Sequence, residues 1–559
     1  MNLEKFKEKN RKKNWMIGSG IVLVLLLVVV FIYRSYAVYE ERQEYDVIEG
    51  RVPSYIADYD VKVNIVVDGV GSTRVPDKGT KKISSITCDK GASGVWDYRN
   101  WMIQVRNLTE TKTTCQVNFV SEYQEGILNG TDPVIKDGLI PVIIEDNGVV
   151  KKADVNQEWY KYADKRWANA VILNDESKTY QNGEVIPENN IESYFVWIPR
   201  FKYKIFNDGK YEGLTKVENR VQEIEVVFES NSVIESKGTG VGSWLTHPAF
   251  TAFDTNGMWV GKFETGYKGS TNISDSKKNA NEPESVQIKP IVNSWRGINV
   301  ANAYLTSYNY KRDYNSHMMK NTEWGAVAYL QHSKYGSMSS VRINNHSNYV
   351  TGYASVKEPT CGYTGTNEDC NHWGTTEDIT KPWNTSVGYL GSTTGNISGV
   401  YDMSGGSWEY VMGVMLDKNG NPMSGRNSLY NSGFNGTLGC PTCDSDTSGL
   451  TNLTTGIPFP SDTRYYDTYA YGEDSKNYPH RILGDATGEM GPFANVTYNS
   501  RDRRVGSWYQ DESYFITNLV PWFFRGGSSG YGLGSGIFYF TYENGSLYGG
   551  VSFRVVLSM

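Results

Sequence analysis

The sequence predicts an α+β fold preceded by a small β-sandwich, and three observations support that expectation. Short runs with period-two alternation recur between turn residues, as in Val61, Val63, Ile65 and Val67. Two short helical patterns, running from Ala303-Tyr304-Leu305 to Ala326-Val327-Ala328-Tyr329-Leu330, stand among them. Gly (57) and Tyr (40) are abundant, a composition of loop-rich β structure rather than of low-complexity disorder. At 559 residues the chain suits three or four domains. Its net charge of −7 argues against a nucleic-acid partner.

The N-terminal part reads as a membrane anchor. Trp15 to Tyr33 carries no charge, and at about 1.5 Å per residue a helix there spans about 29 Å, close to the roughly 30 Å hydrocarbon core. A helix satisfies its own backbone in lipid, so the β-branched content is no objection. Lys5, Lys7, Lys9, Arg11, Lys12 and Lys13 precede this run and Arg34 follows it. The positive-inside rule then gives a cytoplasmic basic tail (1–13), a single-pass helix in the cell membrane (14–34) and an extracellular bulk. A cleaved signal peptide competes, since Ser35-Tyr36-Ala37 is a small-x-small site. Residues 35–57, charged and Tyr-rich, read as a stalk.

Trp101-Met102-Ile103-Gln104-Val105 and Cys115-Gln116-Val117-Asn118-Phe119 repeat the period-two pattern. Together with the turns at Asp68-Gly69 and Asp89-Lys90-Gly91 they predict an Ig-like β-sandwich spacer over 58–122. Cys88 and Cys115 bracket one predicted hairpin, and a disulfide there contributes roughly 3–4 kcal/mol. In an exported chain Cys361 with Cys370, and Cys440 with Cys443, suit local bridges; a four-cysteine zinc site and free thiols are the alternatives. Residues 123–190 read as a connector that packs onto the next domain, and Tyr194 to Lys204 as a strand broken at Pro199 that opens the C-terminal domain, 191–559.

Four blocks of that domain carry a resemblance. They are Met258-Trp259-Val260-Gly261-Lys262-Phe263-Glu264-Thr265, Asn321-Thr322-Glu323-Trp324-Gly325-Ala326-Val327-Ala328-Tyr329, Gly399 to Tyr410, and the stretch from Phe524-Arg525-Gly526-Gly527-Ser528 to Ser552-Phe553-Arg554-Val555-Val556-Leu557. They resemble the formylglycine-generating enzyme (sulfatase-modifying factor) domain, a variant of the C-type-lectin fold. The resemblance implies that fold for residues 191–559. In those enzymes two cysteines, three and eight residues after the Ser of the Arg-Gly-Gly-Ser element, carry copper and the substrate thiol. Here the positions hold Tyr531 and Gly536. The resemblance therefore implies the scaffold without its known catalysis, and structural roles for Glu323, Trp324, Trp408, Glu409, Arg525 and Arg554.

Other chemistry has little support. The six histidines form no His-x-x-x-His or Glu-x-x-His pair, and no Gly-x-Ser-x-Gly element joins a strand to a helix. No cofactor is expected; structural calcium on loop oxygens, with Asp402 and Asp417 as candidates, stays open beside the four-cysteine zinc alternative. Recognition fits better. Between Arg525 and Arg554 the chain is built from Gly, Ser, Tyr, Phe, Asn and Thr. In antibody paratopes this alphabet gives large rigid contact area and adaptable hydrogen bonds. The segment also resembles the variable region of diversity-generating-retroelement proteins, with Glu543 as a departure.

The expected ligand-binding residues are Trp522, Ser528, Ser529, Tyr531, Tyr539, Tyr542, Asn544, Ser546 and Tyr548, meeting a protein or glycan on another surface. An enzyme with a relocated active site at Cys440 and Cys443, and a structural envelope component, are the alternatives from other classes.

Overall fold

The computed structural model describes the backbone of the strands between Val61 and Ser121. It also describes residues 132–559, apart from 206–223, 232–243, 358–379, 424–431, 436–456, 473–480 and 491–504. The chain divides into two units, Met1–Gln124 and Glu125–Met559. In the first, six strands form one sheet in the order Val70–Ser72, Ile65–Val67, Ser85–Asp89, Thr113–Ser121, Val61–Val63, Lys82–Ile83. Ser93–Tyr98 and Trp101–Arg106 pair as a separate hairpin. Cys88 and Cys115 lie on paired strands; their side chains, and the other four cysteines, lie outside the described residues.

The second unit is built on two large sheets. One has seven antiparallel strands in the order Val150–Lys152, Ile140–Ile144, Asn169–Leu173, Ile191–Pro199, Gly257–Gly261, Val555–Leu557, Ser316–Met318. Its central strand, Ile191–Pro199, is apolar almost throughout because both faces are covered, and Tyr194 to Ile198 are wholly buried. Trp197 packs on Trp259 of the next strand at 5.3 Å. Gly257 is obligatory there, since a side chain would enter the Trp197 ring and approach Ile198 O to 2.6 Å.

The other sheet runs Asp467–Tyr469, Trp408–Met415, Trp522–Arg525, Phe540–Glu543, Glu512–Ser513, Val505–Gly506, and Val551–Phe553 adds to Trp408–Met415. Val551–Phe553 and Val555–Leu557 thus belong to different sheets, and Arg554 is the single residue between them.

Two helices pack beside these sheets. Helix α1, Val300–Tyr310, is capped by the Asn299 side chain, which accepts from Asn302 N at 2.9 Å. Helix α2, Asn321–Gln331, is apolar or small on most sides, and all eleven residues are buried.

Three expectations are corrected here. The helix–sheet balance expected of an α+β fold is absent: the described residues form mostly sheet, with α-helix confined to α1 and α2. The helical patterns in the sequence are these two short helices; around them, the described residues form strands and turns. Second, no helix among the described residues is long and apolar enough to cross a membrane; residues 1–57, with the expected tail, span and stalk, lie outside them. Third, residues 132–190 are not a connector. Ile140–Ile144, Val150–Lys152 and Asn169–Leu173 form one flank of the first sheet, because Asn169–Leu173 is buried along its whole length and pairs directly with Ile191–Pro199.

Candidate binding face

The Arg-Gly-Gly-Ser element follows Trp522–Arg525 and is a tight turn. Gly526 and Gly527 have φ of +79° and +76°, and a side chain on Gly527 would collide with Ser535. The turn is closed by Gly536 N donating to Gly526 O (3.1 Å) and Ser535 Oγ donating to Ser528 O (2.8 Å), and docked by Ser529 N donating to Gly406 O (2.9 Å).

This geometry corrects part of the expected face. Ser528 (0 % exposed) and Ser529 (4 %) are folded under the 404–406 loop. Tyr539 (2 %) accepts from Trp408 Nε1 at 3.2 Å, and Trp522 (0 %) stacks on Phe434 at 5.9 Å. None of the four presents its side chain to a partner.

The other expected residues lie nearer the surface. Tyr531 is half-buried, edge-on to Trp408 at 5.1 Å, and Tyr542 meets Tyr514 at 5.6 Å. Asn544 Oδ1 accepts from Ser546 N at 2.9 Å, shaping the turn that leads to Tyr548, which is 54 % exposed. Two contributors went unread in the sequence. Leu547, 55 % exposed, is a lone aliphatic in a polar run, which is a readable signal. The half-buried Trp408 lies at the motif Trp408-Glu409-Tyr410, and only its packing on Gly550 and Tyr531 places it here.

The loop carrying Leu547 and Tyr548 is pinned along its backbone. Tyr548 O accepts from Gly297 N (3.0 Å) and Val551 N (3.1 Å), Gly545 O from Val300 N (3.1 Å), and Gly550 O from Trp408 N (3.0 Å). Tyr410 OH donates to Ser546 O (2.8 Å), and the Arg296 guanidinium to Gly549 O (2.5 Å). Arg296 itself is buried and stacked 4.4 Å above the Tyr349 ring.

The polar residues of the family-like blocks hold the scaffold. Arg554 binds both Glu409 oxygens (2.5 and 3.0 Å), Gly261 O (2.8 Å) and Tyr401 O (3.1 Å), so one side chain ties the two sheets. Burial pushes the Glu409 carboxyl up to about 7 although Arg554 opposes it. Glu323 accepts from Lys320 N (2.8 Å) and faces His317 Nε2 (2.9 Å). Burial alone would raise its pKa, but His317 and Lys320 outweigh that and hold it below the usual range. Arg525 donates to Asn321 Oδ1, Asp485 O and Ala486 O and lies 5.4 Å from the Trp324 ring centre. Lys262 is buried with Asn169 Oδ1, Ile397 O and Gly399 O at 2.7–2.9 Å. Burial pulls its pKa well down, yet three acceptors call for three N–H donors, which only the ammonium supplies.

Both calcium candidates accept hydrogen bonds. Asp402 accepts N–H groups from Glu264, Gly352 and Asn344, and Asp417 Oδ1 accepts from Asn419 N and Asn421 N. Among the described residues no group of three His, Cys, Asp or Glu is placed to hold a metal. Two cavities, of about 190 Å³ beside Thr322 and Asp467 and about 840 Å³ beside Lys136 and Arg312, have linings that share no residue with this face.

A side chain at Gly536 would strike the buried Asp511 carboxylate, whose oxygens lie within 2.1 Å of the position its Cβ would take. Asp511 Oδ2 accepts from Phe538 N at 2.9 Å, and burial pushes its carboxyl well above its usual range. Gly536→Cys is therefore expected to cost about 1–3 kcal/mol by overpacking. Urea unfolding checks this, and adding Asp511→Gly should recover part of the loss, because contacting sites are not additive.

Compared with models of protein families and with curated proteins, the chain matches none.

Proposed function

We propose that this chain is a ligand-binding protein that recognises a partner without turning it over. Its face comprises Tyr531, Tyr542, Asn544, Ser546 and Tyr548, joined by Leu547 and Trp408. One observation carries the reading: two large apolar side chains, Leu547 and Tyr548, are more than half exposed on a loop whose backbone is bonded at Gly545, Ser546, Tyr548, Gly549 and Gly550. A loop held this rigidly loses little entropy on binding, which is how preorganisation raises affinity. Aromatic rings with two side-chain torsions add contact area at low cost. The scaffold lacks the thiol pair of the enzymes that its motifs resemble, and Asp511 fills the space beside Gly536.

The partner is a protein or a glycan displayed on another surface. Its recognition is tested with the purified chain on cells and glycan arrays. The variant carrying Tyr531→Ala, Tyr542→Ala and Tyr548→Ala is expected to keep its fold and to lose binding by at least about thirtyfold, the loss that one anchoring ring worth roughly 2 kcal/mol would cause by itself. Unchanged adhesion by that variant would remove this face from consideration.

A further inference from the structure

Glu264 is wholly buried three residues after the strand Gly257–Gly261, in a cluster with Asp402 and Glu409. The three carboxyl groups are unequally provided for. Glu409 has Arg554 on both oxygens. Asp402 takes N–H groups from Gly352 (2.9 Å), Asn344 Nδ2 (2.9 Å) and Glu264 (3.3 Å). Glu264 receives a single N–H, from Ser407 to Oε1 at 2.8 Å, while Oε2 meets the Ser294 hydroxyl.

Ser294 Oγ also lies 3.0 Å from Tyr349 O. A hydroxyl carries one hydrogen, so it can donate to the carboxyl or to the carbonyl but not to both. A protonated Glu264 resolves this. It donates to Ser294 Oγ, Ser294 donates to Tyr349 O, and both contacts are hydrogen bonds. The surroundings agree: Asp402 and Glu409 repel a charge on Glu264, and Arg554 is engaged by Glu409. Arg296 is engaged by Gly549 O, Ile273 O and Ser276 Oγ, and the Tyr349 hydroxyl brings no positive charge.

The relay ends at the support of the exposed loop. Tyr349 has φ +54°, a conformation costly for a non-glycine residue, and its ring carries the Arg296 guanidinium that holds Gly549 O. Gly297, next in the chain, holds Tyr548 O.

We propose that Glu264 is kept as a neutral acid whose hydrogen bond to Ser294, continued from Ser294 to the Tyr349 carbonyl, braces the 544–550 loop, and that losing the Glu264 proton at alkaline pH loosens the loop. The inference rests on the binding reading only for what the loop is for. Burial first, then Asp402 and Glu409, push the Glu264 carboxyl well above its usual range, against weaker help to the anion from Ser294 and Arg554. An acid whose pKa is raised by folding stabilises fully below the unfolded value of about 4.3, and that stabilisation is lost as pH rises through the folded value.

Glu264→Gln tests it in the full chain, because Gln keeps an acceptor for Ser407 N and a donor for Ser294 Oγ with no proton to lose. The protons taken up on folding, read from the dependence of stability on pH around pH 6, are expected to fall by about one relative to the native chain. The Gly297 amide should exchange with solvent faster in the native chain than in the variant above the pH at which that dependence ends, and equally at pH 6. Ser294→Ala, which cuts the relay but leaves Glu264, should already speed Gly297 exchange at pH 6. An unchanged proton count, or equal Gly297 exchange above that pH, overturns the proposal while leaving the binding reading intact. Loss of ligand binding on changing Tyr548 bears on that reading alone.

Discussion

Replacing Arg554 by Met is expected to destabilise the second unit by about 3–5 kcal/mol, since it leaves Glu409 buried without its counter-charge. Arg554 and Glu409 are both wholly buried, and the guanidinium also donates to Gly261 O and Tyr401 O, which no apolar side chain replaces. Arg554→Lys recovers the charge but not the two-pronged geometry, so it should fall between Met and the native residue. The double variant Arg554→Met with Glu409→Leu removes both charges and should regain most of the loss, because the large term is the orphaned carboxylate rather than the pair itself. Urea midpoints at a constant slope decide the matter. A cost below about 1 kcal/mol for Arg554→Met, the range of exposed pairs, would refute the assignment of Arg554 as the tie between the sheets.

Trp324→Ala should cost a similar amount, about 3–5 kcal/mol. The ring is fully buried within α2, 3.3 Å from the position a side chain on Gly526 would take, and under the Arg525 guanidinium. Its Nε1 donates to Ile537 O at 2.8 Å, so removal leaves both a cavity and an unmet carbonyl in the turn beneath Tyr531. Trp324→Phe keeps most of the volume and loses the hydrogen bond, which should reduce the penalty to about 1–2 kcal/mol. Thermal unfolding of the two variants separates the contributions. A residue needed for catalysis rather than packing would leave both melting curves unmoved.

Local patterns in the sequence reached the elements whose partners are near. The run Tyr194-Phe195-Val196-Trp197-Ile198 reads as a buried strand from its composition alone, and the small apolar residues between Asn321 and Gln331 read as a buried helix. What depends on distant residues stayed hidden. Ser528, Ser529 and Tyr539 look like surface residues by type, and their burial is decided by Gly406 and Trp408, more than a hundred positions earlier. The strands of residues 140–173 were invisible as part of the domain, because their role comes from pairing with Ile191–Pro199 rather than from any pattern of their own. The helical content was overestimated for a related reason: motif order points to a family but does not count the turns and short strands between motifs. At the proposed face, residue type alone picked out Tyr and Asn, and it did not separate the buried Tyr539 from the exposed Tyr548.

The crossing of Arg554 between two sheets also bears on how the polypeptide matures. Val555–Leu557 inserts between Gly257–Gly261 and Ser316–Met318, and Arg554 reaches a carbonyl 293 positions upstream. During synthesis those upstream strands wait with open hydrogen-bonding edges until the late segment emerges from the ribosome. Closure is then governed by long-range encounter rather than by local zippering, which slows folding.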